Sequence, residues 1–177
     1  TSLYGASKLA AEAMIQAYGE YFGIQSHIFR FVSWIGERYS HGVIYDFVKK
    51  LSVNPNELEI LGNGQQKKSY LHVDDGIRGM FLAIEKMTEL KNVINLGHES
   101  YMNVIDLAKI VCEEMGLTGV QFNFTGGIRG WLGDSPFVHL DISRLKSLGF
   151  QPEITIEQGI RRTVRYLLRN KWILDAR

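Results

Sequence analysis

Cysteine and proline are nearly missing from this chain: 177 residues include one Cys and three Pro. Cys112 alone excludes an intramolecular disulfide framework and a Cys-rich metal site. A single thiol in an apolar helical stretch fits a reducing compartment. No run of about 18 apolar residues occurs, so no segment is expected to span a membrane. No charged-then-apolar leader opens the chain, and the expectation is a cytoplasmic protein. An excess of either charge is also lacking, since 20 Lys and Arg against 19 Asp and Glu leave +1. Neither nucleic acid nor an anionic membrane is therefore an expected partner. Any phosphate site has to be local, built from a few placed cations. His27, His41, His72, His98 and His139 lack metal-ligand spacing, so no metal is expected.

What is present suffices for a core: 45% of the residues are hydrophobic, which argues against disorder. Leu9, Ala13, Met14, Ala17, Tyr18 and Tyr21 recur at helical spacing, with Gly23 as the stop. Ser26 to Val32 reads as a buried strand and Val43 to Leu51 as a helix. Glu59 to Leu61 and Ser69 to Val73 read as two strands around a Gly-rich loop. Asp74 or Asp75 is the expected cap of a helix with Ile77, Met80, Phe81 and Ile84 as its apolar face. As a carboxylate pair the two would suit acid/base work, but the apolar helical pattern directly behind them favours the cap. Val93 to Leu96 and Val120 to Phe124 are further strands. Asn103 with Asp106, and Thr155 with Gln158, have capping-box spacing ahead of two more helices. Ile160, Val164 and Leu167 are expected to face inward on the last one. Strands alternating with helices of these lengths predict an α/β fold.

Tyr4 and Lys8 carry the first chemistry. Four residues apart on a helix, they share one face. An ammonium beside a phenol favours the phenolate, and such a tyrosine can take a proton from a sugar hydroxyl whose carbon gives up hydride. The spacing alone also fits a tyrosine at a helix start and a solvated lysine.

The full string Tyr4-Gly5-Ala6-Ser7-Lys8-Leu9-Ala10-x-Glu12 resembles the catalytic helix of the extended short-chain dehydrogenase/reductase family, which contains sugar-nucleotide epimerases and dehydratases. Arg30-Phe31-Val32-Ser33-Trp34-Ile35-Gly36 is similar to the family's Arg-Phe-x-Asn-x-x-Gly strand end. The stretch from Gly62-Asn63-Gly64 through Lys68 to Val73-Asp74-Asp75 is similar to its Gly-x-Gly-x-Gln-x-Arg-x-Phe/Tyr-x-x-Val-x-Asp segment. Arg129 to Asp134 resembles its Arg-x-x-x-Gly-Asp loop, and Asp141-Ile142-Ser143-Arg144 and Leu148 to Pro152 continue the likeness.

The resemblance implies roles. Tyr4 would be the acid/base, and Lys8 would hold the nicotinamide ribose of NAD and tune Tyr4. Phe31, Ser33 and Trp34 would lie beside the nicotinamide. Ser33 stands where the family has an Asn that bonds the sugar diphosphate, and offers a hydroxyl instead of an amide. Val43, Ile44, Leu58 and Ile60 match positions near a uracil, and equally read as core. Lys68 matches an Arg on the nucleotide phosphates and lacks its fork. Arg129 would clamp phosphate and Asp134 would bond ribose hydroxyls, or the two are a surface charge and a turn residue. Tyr70 matches a substrate-side aromatic, or core.

It also implies a boundary. The family's opening strand, Gly-rich turn and helix, which hold the NAD pyrophosphate, have no counterpart in these residues. The expected architecture is the C-terminal part of a Rossmann-type parallel sheet (1–36 and 73–100) plus a smaller α/β substrate-binding domain (37–72 and 101–177). The cofactor-binding half would be absent, and NAD would be held only by the intact parent. The function implied is the C-terminal segment of an NAD-dependent UDP-sugar 4-epimerase, forming a homodimer through the Tyr4 helix and inactive alone. A 4,6-dehydratase or reductase of the same family, and a non-catalytic sugar-nucleotide-binding module, stay open. So do a fragment of a longer enzyme, a short protein that pairs with a separate N-terminal half, and a self-associating remnant.

Overall fold

The computed structural model describes residues 2–175. Along the chain run α1 (Leu3–Phe22), β1 (Ser26–Phe31), β2 (Ser33–Ile35), α2 (Val43–Val53), β3 (Glu57–Ile60), β4 (Lys67–Lys68), β5 (Tyr70–His72) and α3 (Val73–Lys86). They are followed by β6 (Lys91–Leu96), β7 (Met102–Asn103), α4 (Val104–Glu114), β8 (Gln121–Phe124), β9 (Phe137–Val138), α5 (Ser143–Ser147), α6 (Ile156–Arg169) and α7 (Trp172–Asp175). The α/β architecture expected from the sequence is present, with parallel pairing dominant. β1 pairs with β6, β2 with β5 and β3 with β8, all parallel. The short strand β4 runs antiparallel to β7 and parallel to β9.

Two apolar clusters hold these pieces. One gathers Val32, Leu71, Ala83, Ile94, Leu96, Ile142, Leu145 and Phe150 around the β1–β6 pair and α3. The larger one joins α2, α4 and α6 through Ile44, Val48, Leu107, Val111, Ile160, Val164 and Leu167, with Leu58 and Ile60 of β3. Helix α6 shows why it forms where it does. Thr155 accepts from the Gln158 amide while the Gln158 side chain accepts from the Thr155 N–H, a complete capping box. Behind that cap, six positions from Ile156 to Leu167 are buried.

The strands around the Gly-rich loop do not pair with each other, because β3 is taken by β8 and β5 by β2. Two expectations need correction. Neither Asp74 nor Asp75 caps α3: His72 does, its Nδ1 accepting from the Asp74 N–H at 3.2 Å. Of the apolar face named for α3, Ile77, Phe81 and Ile84 are exposed and only Met80 packs against the core. The buried face instead carries Asp75, Gly76, Gly79 and Ala83. A Cβ on Gly76 would meet the Trp34 ring at 2.5 Å and one on Gly79 would meet Leu96 at 3.0 Å, so small residues let the helix sit close. Asp75 is a structural anchor, accepting from Arg78 at 2.6 Å and from the backbone N–H groups of Glu153 and Ile154. Burial pushes its carboxyl up, but those three donors prevail and hold it below the ordinary range.

Candidate active site

Helix α1 brings Tyr4 and Lys8 together as the spacing requires. The Lys8 ammonium lies 5.3 Å from the centroid of the Tyr4 ring. Both are exposed, so ring and ammonium are open to a ligand. Ser2 starts the helix by accepting from Gly5 N–H at 3.0 Å. Little else fixes it, for only Gly19 is buried in its 20 residues. Its fastening is ionic: Arg30 of β1 grips Glu12 through Nε at 2.9 Å and Nη2 at 2.7 Å. That fork lowers the Glu12 carboxyl. A second tie joins Glu20 to Lys91 at 2.7 Å.

At the carboxyl end of β1, Phe31 is half exposed and packs edge-on against Trp34, with ring centroids 4.8 Å apart. Such ends of parallel strands are where α/β sheets bind ligands. Exposed Tyr4 and Lys8 on α1, and half-exposed Phe31 on β1, leave aromatic and cationic groups open to a ligand. The indole Nε1 of Trp34 is buried without a partner.

Beyond Ser33 lies a cavity of about 380 Å³, which Ser33, Val43, Lys68, Tyr70 and Asp134 all line. Lys68 and Tyr70 stand two residues apart, the other three come from separate segments, and the fold brings all five to one place. Lys68 donates to Asp134 Oδ1 at 2.5 Å, and Gly130 N–H donates to the other carboxylate oxygen at 3.0 Å. Burial raises the Tyr70 phenol, helped by Tyr39 and Asp134, and pushes the Tyr39 phenol up to about 12. Neither is a base near neutral pH. The other candidates fall elsewhere. Ile44, Leu58 and Ile60 are wholly buried in the larger cluster. Arg129 does not line the cavity; it is exposed and donates to Leu132 O at 3.3 Å.

Sequence reasoning passed over Tyr39, Asp46, Phe47, Leu61, Gln66, Val104 and Trp131, which also line the cavity. Gln66 and Trp131 stood inside quoted motifs, yet nothing in a linear string tells which residue of a loop turns inward. Gln66 donates through Nε2 to Leu61 O at 2.9 Å, leaving its buried Oε1 without a partner. An unmet buried acceptor costs about 1–3 kcal/mol. Among the described residues no cluster of His, Cys, Asp and Glu could hold a metal ion, and no helix is long and apolar enough to cross a membrane.

With this geometry in view, the class is clear: the chain belongs to the NAD dependent epimerase/dehydratase family, whose sequence profile matches residues 1–97. A protein of Methanocaldococcus jannaschii assigned provisionally as a UDP-glucose 4-epimerase is 30% identical over 96% of this chain and 54% of its own length. The crystal structure of a UDP-galactose 4-epimerase superposes with a TM-score of 0.84 at 34% identity, covering 97% of this chain and 55% of that one. A dTDP-glucose 4,6-dehydratase from Bacillus anthracis, solved in complex with NAD, shares the fold at TM-score 0.86 and 18% identity, over 99% of this chain and 55% of that one. The chain thus spans about half the length of the curated relatives it matches.

Proposed function

We propose that this chain is the substrate-handling part of an NAD-dependent UDP-sugar 4-epimerase, with Tyr4 and Lys8 as its acid/base pair. The observation that carries the reading is the meeting of Ser33, Lys68, Tyr70 and Asp134 at one cavity beyond the β1 end that also bears Phe31. NAD, when bound, would supply the hydride acceptor and donor. Lys8 would hold its ribose, with Phe31, Ser33 and Trp34 beside the nicotinamide. Tyr4 would take the proton from the sugar hydroxyl as hydride leaves that carbon, and return it after the ketose has turned over. Val43 lies at the cavity for contact with a base, whereas Ile44, Leu58 and Ile60 support it from the core. Lys68 and Asp134 would meet phosphate and ribose, and Arg129 would have to swing from Leu132 to join them. We assign 1–36 and 73–100 to the Rossmann-type part and 37–72 and 101–177 to the substrate part, although Ile142, Leu145 and Phe150 pack with the former, and the homodimer contact to α1.

The test is calorimetric titration of the protein with UDP-glucose and, separately, NAD. Binding of UDP-glucose supports the reading, and its absence under millimolar ligand overturns it. The role of Tyr4 is tested by 4-epimerase assay, in the presence of NAD, of a chain that also carries the cofactor-binding half. Tyr4→Phe should lower turnover at least about a hundredfold with UDP-glucose affinity unchanged, and a variant of undiminished activity would sink the assignment.

A further inference from the structure

The segment 37–42, between β2 and α2, carries part of the cavity wall through Tyr39 and Gly42, and its backbone is sharply bent. Arg38 holds φ at 65° although it is not a glycine, a conformation that persists only where the surroundings impose it. At Gly42 the Tyr39 phenol folds back onto the chain, for a Cβ there would meet the Tyr39 hydroxyl oxygen at 2.0 Å. The root of this segment is Glu37, and two side chains meet its carboxylate. Arg162 of α6 donates through Nε to Glu37 Oε1 at 3.0 Å and reaches Asp74 Oδ2 at 3.2 Å. The other Glu37 oxygen, Oε2, lies 3.2 Å from Nε2 of His72. Burial pushes the Glu37 carboxyl up, but its own backbone N–H, Arg162 and His72 prevail and hold it below the ordinary range.

His72 is the less ordinary of the two partners. It is 1% exposed, and its ring lies against Gly36 and Gly159, where an added Cβ would come within 3.2 and 3.5 Å of it. Its Nδ1 is already an acceptor, taking the Asp74 N–H that opens α3. A neutral imidazole with that cap carries its proton on Nε2. This nitrogen is buried and has no aligned hydrogen-bond acceptor, while the Glu37 carboxylate stands beside it. A buried donor left unmet is unfavourable, so His72 and Glu37 both gain by staying together.

We infer that His72, as its Nε2–H tautomer, is a positioning residue that holds the Glu37 carboxylate and through it the 37–42 segment of the cavity wall. The cap on α3 accounts for Nδ1 and for nothing on the other side of the ring. Only the expected effect on ligand affinity rests on the reading of the cavity as a sugar-nucleotide site.

The experiment pairs His72→Asn with Glu37→Gln. Asparagine is among the best helix caps, so the first variant keeps an acceptor for the Asp74 N–H and removes Nε2. The second keeps the shape of a partly exposed side chain and removes its charge. Amide exchange across 37–42, read by mass spectrometry relative to α6, should quicken at least about tenfold in each variant. The double variant should exchange no faster than Glu37→Gln alone, since both changes act through one carboxylate. UDP-glucose affinity should fall about tenfold in both single variants, and 15N NMR of the wild-type imidazole should place its proton on Nε2. If His72→Asn does not fold, Glu37→Gln and the wild-type spectrum still decide. A proton on Nδ1, exchange in Glu37→Gln equal to that of the wild type, or effects that simply add in the double variant overturn the inference. Quickened exchange with UDP-glucose affinity unchanged leaves His72 a structural role and overturns it too. A wild type that binds no UDP-glucose overturns the reading of the cavity instead, and the hold on Glu37 then stands or falls on exchange and tautomer.

Discussion

Helix α1, at the start of the described chain, and helix α6, near its end, are built on opposite terms. Helix α6 closes its first turn with a full capping box and buries Ile156, Gly159, Ile160, Thr163, Val164 and Leu167. Helix α1 is longer and more apolar on average, yet buries only Gly19 and leaves Leu3, Tyr4, Leu9, Met14, Tyr18, Tyr21 and Phe22 exposed. Helical stability in proteins comes mainly from packing an apolar face. By that measure α6 is part of the core, whereas α1 is attached to it at two ion pairs and a turn. The helix with the proposed chemistry is thus the one with least support.

The difference can be broken most forcefully at α6. Leu167→Ala should cost about 2–5 kcal/mol in urea unfolding followed by circular dichroism, the usual range for emptying a fully buried site. Leu9→Ala on α1 should stay within about 0.5 kcal/mol, as exposed positions do. Equal losses would mean that α1 is packed in solution.

Next in size is the entry to α6, where Asp75 fastens the backbone at Glu153 and Ile154. Asp75→Asn should cost about 1–3 kcal/mol at neutral pH. Since the folded carboxyl titrates below its unfolded value of 3.8, its contribution is full above that pH and fades as the pH falls through the folded value. The gap between wild type and variant should therefore narrow in acid, and a constant gap from pH 7 to pH 2 would contradict the assignment.

Caps give a smaller contrast. Thr155→Ala should lower global stability by about 1 kcal/mol, whereas Ser2→Ala should leave the unfolding midpoint unmoved and show only as faster amide exchange near Gly5. Smallest of all is Glu12→Gln. It weakens the fork from Arg30 without emptying any site, so exchange along α1 should quicken while the urea midpoint shifts by less than about 0.5 kcal/mol.

Periodicity and cap chemistry made most elements legible. The Thr155 box, the Asn103 cap and the Gly23 stop are all local, and Gly23 adopts the left-handed conformation that ends α1. Which face of a helix turns inward was not legible where small residues did the packing. In α3 the large apolar side chains drew attention, while Gly76, Gly79 and Ala83 made the contact. Strand partners were equally hidden, because a Gly-rich loop between two strands suggests a hairpin, and the partner of β3 arrives only at Gln121. In the cavity, the likeness to the family's motifs marked Lys68 and Asp134. Trp131 gave no such mark, since an aromatic in a loop reads the same whether it covers a site or faces solvent.

The pairing register also governs how the molecule can be assembled in time. Ser26 waits for Lys91, Glu57 for Gln121 and Lys67 for Asn103. A chain leaving the ribosome would present β1 as a bare strand until Leu96 has emerged, and β3 until Phe124 has. Non-local contacts of this kind fold slowly, because loop closure is paid for before any pairing rewards it. During synthesis the early strands are thus the segments most in need of shielding.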